Sequence, residues 1–184
     1  MIGVLVSGTG TNLQALLDAR LPVTAVASNT AGVQALQRAQ RASVPAAVFP
    51  EKDYADRAER DEAMADWLDA HGVELVVCAG YMQLLSRGFL GRFPCLNVHP
   101  SLLPAFPGLD AVGQALEAGA KETGVTVHFL DEGVDTGPVI AQEPVAIEAG
   151  DTVESLHERL HAVEHRLLPE AVSLYLAGAI SSRP

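Results

Sequence analysis

The stretch Ile2-Gly3-Val4-Leu5-Val6-Ser7-Gly8-Thr9-Gly10-Thr11-Asn12-Leu13 decides the fold. Its first five residues, IGVLV, form a short apolar run that predicts a strand buried on both faces. A loop with two glycines follows, and an amphipathic pattern near residues 12–20 then predicts a helix. A buried strand, a tight loop and a helix in this order are the first half of a βαβ unit.

The same alternation continues outward from this stretch. Short apolar runs predict four further strands, at VTAVAS, AAVF, ELVVCA and CLNV. Amphipathic patterns near residues 32–42 and 54–71 predict two further helices between them. Strands that alternate with helices in this way predict an α/β protein with a single doubly wound, mostly parallel sheet of the Rossmann-like type.

After residue 100 the chain becomes richer in proline and glycine. This part predicts a short helix near 110–119, two strands near 123–130 and 138–147, and a long helix from about 152 to 177. Asp151 or Thr152 can cap the long helix, and Glu154 completes a capping box three residues after Asp151. With 184 residues and 48% apolar content, the chain has the usual size of one domain, and we expect one domain over residues 1–184.

The composition limits the class of protein. Because the chain has no run of eighteen apolar residues and its N-terminus, MIGVLVSGTG, lacks a signal peptide's basic region, we expect a cytoplasmic protein without a membrane partner. The net charge of −11 argues against a nucleic-acid partner, because nucleic-acid-binding proteins usually carry a basic stripe. Cys78 and Cys95 lie in apolar runs, where we expect buried thiols and not a disulfide.

The segment His157-Glu158-Arg159-Leu160-His161 matches the H-E-x-x-H pattern of zinc peptidases. Its two histidines lie one helical turn apart, but a catalytic zinc needs a third protein ligand. The extended pattern requires glycine and histidine where this chain has Glu164 and Leu167. His165 lies roughly 12 Å from His157 along a straight helix, too far for one ion to bridge. We therefore interpret the match as chance and predict no metal.

The first loop favours an anionic ligand. It follows a strand and opens a helix, so its backbone N–H groups and the helix dipole would attract phosphate. A dinucleotide site would want glycine at Leu13 and an acidic residue about twenty positions on, where the chain has Ser28 and Asn29. The Gly-Lys-Ser/Thr of a nucleoside-triphosphate loop is also missing. A phosphate-bearing ligand is favoured over NAD, and glycines that serve only a tight turn are the alternative.

Asn97 and His99 close a buried strand in the segment Leu96-Asn97-Val98-His99-Pro100. Because they alternate with apolar residues, their side chains should point the same way at the carboxyl edge of the sheet. An amide donor beside an imidazole can hold a developing oxyanion and protonate a leaving nitrogen. The pair could equally form a satisfied structural hydrogen-bond network.

Five segments together carry a family resemblance. They are SGTGTN in the first loop, AGYMQLLS after the fourth strand, NVHPSLLP, TVHFLDEGVDTGPVI, and VEH in the final helix. In this order, over nearly the whole chain, they resemble the glycinamide ribonucleotide formyltransferases, small folate-dependent enzymes of the formyltransferase family. The resemblance implies transfer of the formyl group of 10-formyltetrahydrofolate to the amine of glycinamide ribonucleotide in purine synthesis.

The resemblance also implies roles for residues. Gly10, Thr11 and Asn12 would bind the substrate phosphate, and Glu164 would reach the ribose hydroxyls. Asn97, His99 and Asp135 match the catalytic trio. The residues that would contact the folate are Arg57, Met82, Gln83, Leu84, Leu85, Asn97, Asp131, Glu132, Gly133, Val134 and Asp135.

Formyl transfer to a primary amine passes through a tetrahedral oxyanion and then expels a nitrogen that must be protonated. Asn97 and a protonated His99 would stabilise the oxyanion. The charge of Asp135 would favour the protonated imidazole, and its carboxylate would help to remove the amine proton. Neither a metal nor a covalent intermediate is required. We interpret His128 as a structural residue that supports the neighbouring loop.

The chain departs from the family pattern at Gln83, where the family usually has arginine, and at Phe93 and Pro94, where a basic residue is common. Two alternatives come from other functional classes. A formyltetrahydrofolate hydrolase would carry an extra domain before the first strand, and a non-catalytic phosphate-ligand-binding module would not need the trio together. The tRNA formyltransferases need a further C-terminal domain and positive charge. We expect a monomer or a homodimer with two small-molecule substrates.

Overall fold

The apolar runs of the sequence form the strands of a seven-stranded sheet in the computed structural model, which describes residues 1–181. The strands are β1 (Ile2–Val6), β2 (Val23–Ser28), β3 (Ala46–Val48), β4 (Leu75–Cys78), β5 (Cys95–His99), β6 (Glu122–Phe129) and β7 (Val139–Ala146). The α-helices are α1 (Thr11–Asp18), α2 (Gln34–Arg41), α3 (Arg57–Ala70), α4 (Arg87–Arg92), α5 (Ala111–Glu117) and α6 (Val153–Leu176).

The strand order is β3-β2-β1-β4-β5-β6-β7. β1 pairs in parallel with β2 and β4, β2 pairs in parallel with β3, and β6 pairs antiparallel with β7. The predicted α/β fold with a single, mostly parallel sheet is confirmed. The chain order reverses at β1, and in α/β sheets the loops at such a reversal point surround the ligand crevice. The loops that follow β1 and β4 leave the sheet at this point.

The chain divides into two compact units, Met1–Leu96 and the residues from Asn97 onwards. The predicted single domain over residues 1–184 therefore stays a prediction. Completely buried apolar side chains form the core of each unit, and burying each contributes about 2 kcal/mol relative to exposure. They include Leu5, Leu13, Leu68 and Val77 in the first unit, and Val125, Val127, Leu156 and Leu160 in the second.

Two short elements were not predicted from the sequence, a 3-10 helix at Glu51–Asp53 and the helix α4. α4 has six residues, of which two are glycine, and is too short for an amphipathic period to be recognised. Its start is marked by Ser86, whose hydroxyl oxygen accepts a hydrogen bond from the Phe89 N–H at 3.4 Å. Serine is a preferred N-cap residue, so Ser86 was the sequence signal that could have predicted the start of α4.

The N-terminal cap of α6 is one of the two predicted residues, but its capping box differs from the prediction. Thr152 is the cap, and its side chain and that of Ser155 each accept a hydrogen bond from the other residue's backbone N–H, at 3.2 and 3.0 Å. The predicted box between Asp151 and Glu154 is wrong. The Asp151 carboxylate instead accepts hydrogen bonds from Arg159 and from the Ser155 hydroxyl, both at 2.8 Å, so it is not available to the helix N–H groups.

Both cysteines are buried and unpaired, as predicted. Burial, together with the negative charge of Asp61, raises the pKa of the Cys78 thiol to about 12. Among residues 1–181, none of the helices combines the length and the apolarity that a membrane-spanning segment requires.

Candidate active site

His99 ends β5 and is almost completely buried. Its Nε2 lies 2.8 Å from the carbonyl oxygen of Phe106, and its Nδ1 lies 3.4 Å from Oδ2 of Asp135. A carbonyl oxygen can only accept, so Nε2 is the donor in the first contact. Both ring nitrogens face oxygen acceptors, and a doubly protonated ring can therefore donate on both sides.

Asp135 lies in the loop that follows β6, with a left-handed backbone φ of 55°. Its Oδ2 accepts a hydrogen bond from the Gly108 N–H at 2.7 Å. Burial by itself would raise the pKa of this carboxyl, but the bonds from His128 and Gly108 and the charges of the two histidines outweigh it and lower the pKa below its ordinary value. Asp135 is therefore a carboxylate at neutral pH.

His128 joins the predicted catalytic residues into one cluster. Its Nδ1 donates to the carbonyl oxygen of Phe129 at 2.9 Å. Its Nε2 lies 3.2 Å from Nδ2 of Asn97 and 3.6 Å from Oδ1 of Asp135. In a neutral ring with the proton on Nδ1, Nε2 accepts the hydrogen bond from the Asn97 amide, whereas in a doubly protonated ring Nε2 faces Asp135 Oδ1 as a donor and the ring carries the charge that Asp135 experiences. The structure thus brings Asn97, His99 and Asp135 together, with His128 between Asn97 and Asp135.

The loop that follows β5 supplies two backbone groups to this cluster, the Phe106 carbonyl and the Gly108 N–H. The loop is fastened to β6 through Thr126, whose hydroxyl donates to the Ser101 carbonyl at 2.6 Å and accepts from the Leu103 N–H at 3.1 Å. Because these bonds are buried, the backbone groups around His99 are held in fixed positions.

The predicted folate residues Asp131, Glu132, Gly133 and Val134 are exposed. Asp131 fixes their turn, because its Oδ1 accepts hydrogen bonds from the Gly133 N–H at 3.0 Å and from the Thr136 hydroxyl at 2.7 Å. These hydrogen bonds fix the backbone of the loop that leads to Asp135, although the side chains of residues 131–134 are exposed to solvent.

Gly10, Thr11 and Asn12 form the start of α1. Gly10 is the N-cap with φ 73°, and a Cβ on it would lie 2.6 Å from the Cβ of Ala35, so no other residue fits. The first helical hydrogen bond runs from the Gln14 N–H to the Gly10 carbonyl at 2.9 Å. Backbone N–H groups before that point in a helix have no partner within the helix and can bind an anion.

The remaining predicted folate residues of the first unit lie on α3 and in the loop after β4. Arg57 is exposed at the first turn of α3. Met82 and Leu84 are exposed, whereas Gln83 and Leu85 are half-buried. The Met82 N–H donates to the Ser7 hydroxyl at 2.8 Å, so this loop is joined to the loop that follows β1.

Glu164 is a buried carboxyl group on α6. On the same helix His157, His161 and His165 form a ladder, with ring centroids 5.5 and 6.0 Å apart. Within residues 1–181 no group of three or more His, Cys, Asp or Glu side chains is arranged to hold a metal ion.

The chain is similar to known proteins over nearly its whole length. A family model described as formyl transferase matches residues 1–172. The phosphoribosylglycinamide formyltransferase of Bacillus subtilis (strain 168) is 40% identical, with 94% of this chain and 93% of that protein covered. The trifunctional purine biosynthetic protein adenosine-3 of Chironomus tentans is 46% identical over 97% of this chain, which spans only 14% of that relative.

The solved structures agree with the sequence relatives. The crystal structure of glycinamide ribonucleotide transformylase 1 from Symbiobacterium toebii is 51% identical and superposes with a TM-score of 0.94, covering 96% of this chain and 87% of that one. The phosphoribosylglycinamide formyltransferase from Bacillus halodurans is 38% identical, with a TM-score of 0.93 over 97% of this chain and 96% of that one. On this evidence the chain belongs to the formyl transferase family.

Proposed function

We propose that this protein transfers the formyl group of 10-formyltetrahydrofolate to the amine of glycinamide ribonucleotide, a step of purine biosynthesis. The observation that carries the proposal is one cluster of side chains, in which Asp135 contacts both His99 and His128, and His128 contacts Asn97. It occurs in a chain that is 40% identical, over nearly its whole length, to the phosphoribosylglycinamide formyltransferase of Bacillus subtilis.

The cluster contains the groups that the reaction needs. The substrate amine attacks the formyl carbon, forming a C–N bond and a tetrahedral oxyanion, and the bond from that carbon to N10 of the folate then breaks. The second N–H of the Asn97 amide donates a hydrogen bond to the oxyanion, and the positive charge of the His99 imidazolium stabilises it, each contributing about 3 kcal/mol by analogy with other oxyanion sites. The Asp135 carboxylate accepts the proton that the amine loses, the His99 imidazolium protonates N10 as it leaves, and Asp135 then returns its proton to His99.

The substrate contacts are also proposals. Backbone N–H groups at Gly10, Thr11 and Asn12 bind the phosphate, which explains how an acidic protein can hold an anion. The Glu164 carboxylate accepts hydrogen bonds from the ribose hydroxyls. The folate is bound by Arg57, by residues 82–85 and by the loop of residues 131–135. We place the enzyme in the cytoplasm, as a monomer or homodimer that requires no metal.

The test is to incubate the purified protein with 10-formyltetrahydrofolate, with and without glycinamide ribonucleotide, and to follow loss of the formyl group. Deformylation that depends on the ribonucleotide and yields one formylated amine per folate supports the transferase. Turnover that releases formate without the amine would instead indicate a hydrolase. The His99→Ala protein is the control for deformylation that does not arise at this cluster.

A further inference from the structure

Arg60 and Asp61 form an ion pair inside the first unit that the proposed chemistry does not use. Their side chains are 1% and 0% exposed, and the Arg60 Nε and Nη2 both donate to Asp61 Oδ1, at 2.9 and 2.7 Å. Removing two charges from water costs free energy that their mutual attraction often fails to recover. Stability alone therefore does not explain why the two charges are buried. Their remaining side-chain hydrogen bonds indicate a role in holding a neighbouring loop.

Three further side-chain hydrogen bonds of this pair go to the segment Tyr81–Ser86, which we call the β4–α4 loop. Arg60 Nη1 donates to the Gln83 side-chain oxygen and Arg60 Nη2 donates to the Leu84 carbonyl, both at 3.2 Å. The second carboxylate oxygen of Asp61 accepts from the Ser86 N–H at 2.6 Å. One buried pair thus binds the middle and the end of the loop.

The beginning of the β4–α4 loop is fixed separately, by the hydrogen bond from the Met82 N–H to the Ser7 hydroxyl. Between the two attachments, Met82 and Leu84 are 64% and 57% exposed, whereas the side chain of Gln83 turns inward to the guanidinium. A guanidinium is a rigid planar fork, so its contacts at two successive residues determine which side chains face outward. Two large apolar side chains are consequently held in solvent.

We propose that Arg60 is a positioning residue for the folate. Together with Asp61 it holds Met82 and Leu84 as an apolar ledge against which the flat pterin ring packs. This inference rests on the proposed function, since it names the ligand that the ledge receives. Without the guanidinium the loop has more conformations, and binding must order it at the expense of affinity.

The decisive variant removes the pair without leaving a buried charge. Arg60→Leu combined with Asp61→Asn keeps an amide oxygen for the Ser86 N–H and abolishes the bonds to Gln83 and Leu84. We expect the KM for 10-formyltetrahydrofolate to rise about tenfold, the effect of ~1.4 kcal/mol of lost affinity, with the KM for glycinamide ribonucleotide changed less than about twofold. The Kd of tetrahydrofolate measured by calorimetry should rise by the same factor.

A relocated arginine gives an independent test. The Gln83 side chain already contacts the guanidinium, so an arginine at position 83 can place its own guanidinium near Asp61. Arg60→Gln alone should weaken folate binding, and Arg60→Gln with Gln83→Arg should recover most of it. The matched control is Arg92→Gln, which removes an exposed pair between α4 and Asp66 and Asp69 of α3 but no bond to the loop. It should leave both KM values unchanged.

An unchanged folate KM in a folded Arg60→Leu/Asp61→Asn protein overturns the inference, as do equal rises of both KM values or the same effect in Arg92→Gln. These outcomes leave the proposed function intact. Absence of formyl transfer by the unmodified protein contradicts the proposed function itself. The ledge is then judged by tetrahydrofolate binding alone, where equal Kd values for the unmodified and double-variant proteins overturn it.

Discussion

Asp135 combines an unusual backbone with a central place in the cluster. Its φ of 55° lies in the left-handed region, which residues other than glycine seldom adopt but which asparagine and aspartate tolerate better than most. Asparagine is therefore the replacement that keeps the loop and removes the charge. Because backbone strain persists only where surrounding structure enforces it, the conformation is consistent with a functional position.

The first prediction concerns the proposed chemistry. His99→Ala, Asn97→Ala and Asp135→Asn should each lower kcat about a hundredfold, because each removes a contribution of ~3 kcal/mol to one transition state. A double variant should lose less than the sum of the two single losses, since the groups act together. Circular dichroism provides the folding control. A near-normal kcat in folded His99→Ala would place the catalytic group elsewhere.

The second prediction follows from the lowered pKa of Asp135. A carboxyl whose pKa is lower in the folded than in the unfolded protein stabilises the fold above the unfolded value, and this stabilisation is lost as the pH falls through the folded value. The urea midpoint of the unmodified protein should exceed that of Asp135→Asn at pH 7, and the difference should shrink below the ordinary pKa of 3.8. If the difference between the two urea midpoints grew as the pH fell, the pKa of Asp135 would not be lowered in the folded protein.

The third prediction concerns the phosphate loop and has a control within it. Gly10→Ala places a Cβ 2.6 Å from Ala35 at a positive φ, whereas a Cβ on Gly8 meets no atom within 4 Å. We expect kcat/KM for glycinamide ribonucleotide to fall at least about tenfold in Gly10→Ala and to change less than about twofold in Gly8→Ala. The nucleoside without phosphate should be a poor substrate of the unmodified protein and of both variants. If the unmodified protein had equal kcat/KM values for glycinamide ribonucleotide and for the nucleoside without phosphate, this loop would not be the phosphate site.

Single residues differ in how well the sequence predicts them. The shared side of Asn97 and His99 follows from strand alternation and is confirmed by their link through His128 and Asp135. His128 was interpreted only as structural support, because a polar residue in an apolar strand is equally typical of a satisfied core histidine. The signal was available, since Thr126 and His128 alternate with apolar residues as Asn97 and His99 do in β5.

At the scale of elements, α6 carries the H-E-x-x-H segment and the histidine ladder. The spacing places the rings next to one another along the helix, and the sequence lacks the third ligand of a catalytic zinc. As the fourth prediction, exhaustive chelation followed by dialysis should leave the deformylation rate unchanged. Metal analysis of the purified protein checks the result. Stoichiometric zinc with loss of activity on chelation would overturn the proposed mechanism.

Strands were the most predictable elements of this chain. Each buried strand is a run of apolar residues between polar or glycine-containing segments, and a few residues are enough to show it. Helix ends were less predictable, because a cap depends on which polar group wins a hydrogen bond. At α6 the sequence left Asp151 and Thr152 as alternative caps. Arg159, within α6, binds the Asp151 carboxylate, and Thr152 is the cap.

At the scale of the whole molecule, charge is the dominant property. The chain has 12 basic and 23 acidic residues, which gives a net charge of −11. Repulsion among the excess negative charges destabilises the compact folded state. As the fifth prediction, raising NaCl from ~0.02 M to ~0.2 M should increase the Tm, because screening weakens this repulsion more than it weakens the exposed ion pairs. Sucrose of equal osmolarity is the control for non-ionic effects. A lower Tm in salt would mean that the ion pairs dominate.

Periodicity predicts which elements exist, but the order of the strands depends on packing between distant segments. The alternation of strands and helices was enough for a mostly parallel sheet, since parallel neighbours need a crossover connection. The alternation does not predict that the strand order reverses at β1, which has β2 on one side and β4 on the other. That reversal brings together the loops after β1 and β4, which are far apart in the chain.

The Ser7 hydroxyl gives the proximity of these loops a thermodynamic consequence for binding. It accepts from the Met82 N–H of the loop after β4 and donates at 2.6 Å to the side-chain oxygen of Asn29, which follows β2, so one side chain of the loop after β1 is bonded to both neighbouring loops. A ligand that orders one loop spares part of the entropic cost of ordering the other, and such coupling is reciprocal. We therefore expect the two substrates to bind synergistically, each lowering the other's Kd by the same factor, and Ser7→Ala to make their binding independent.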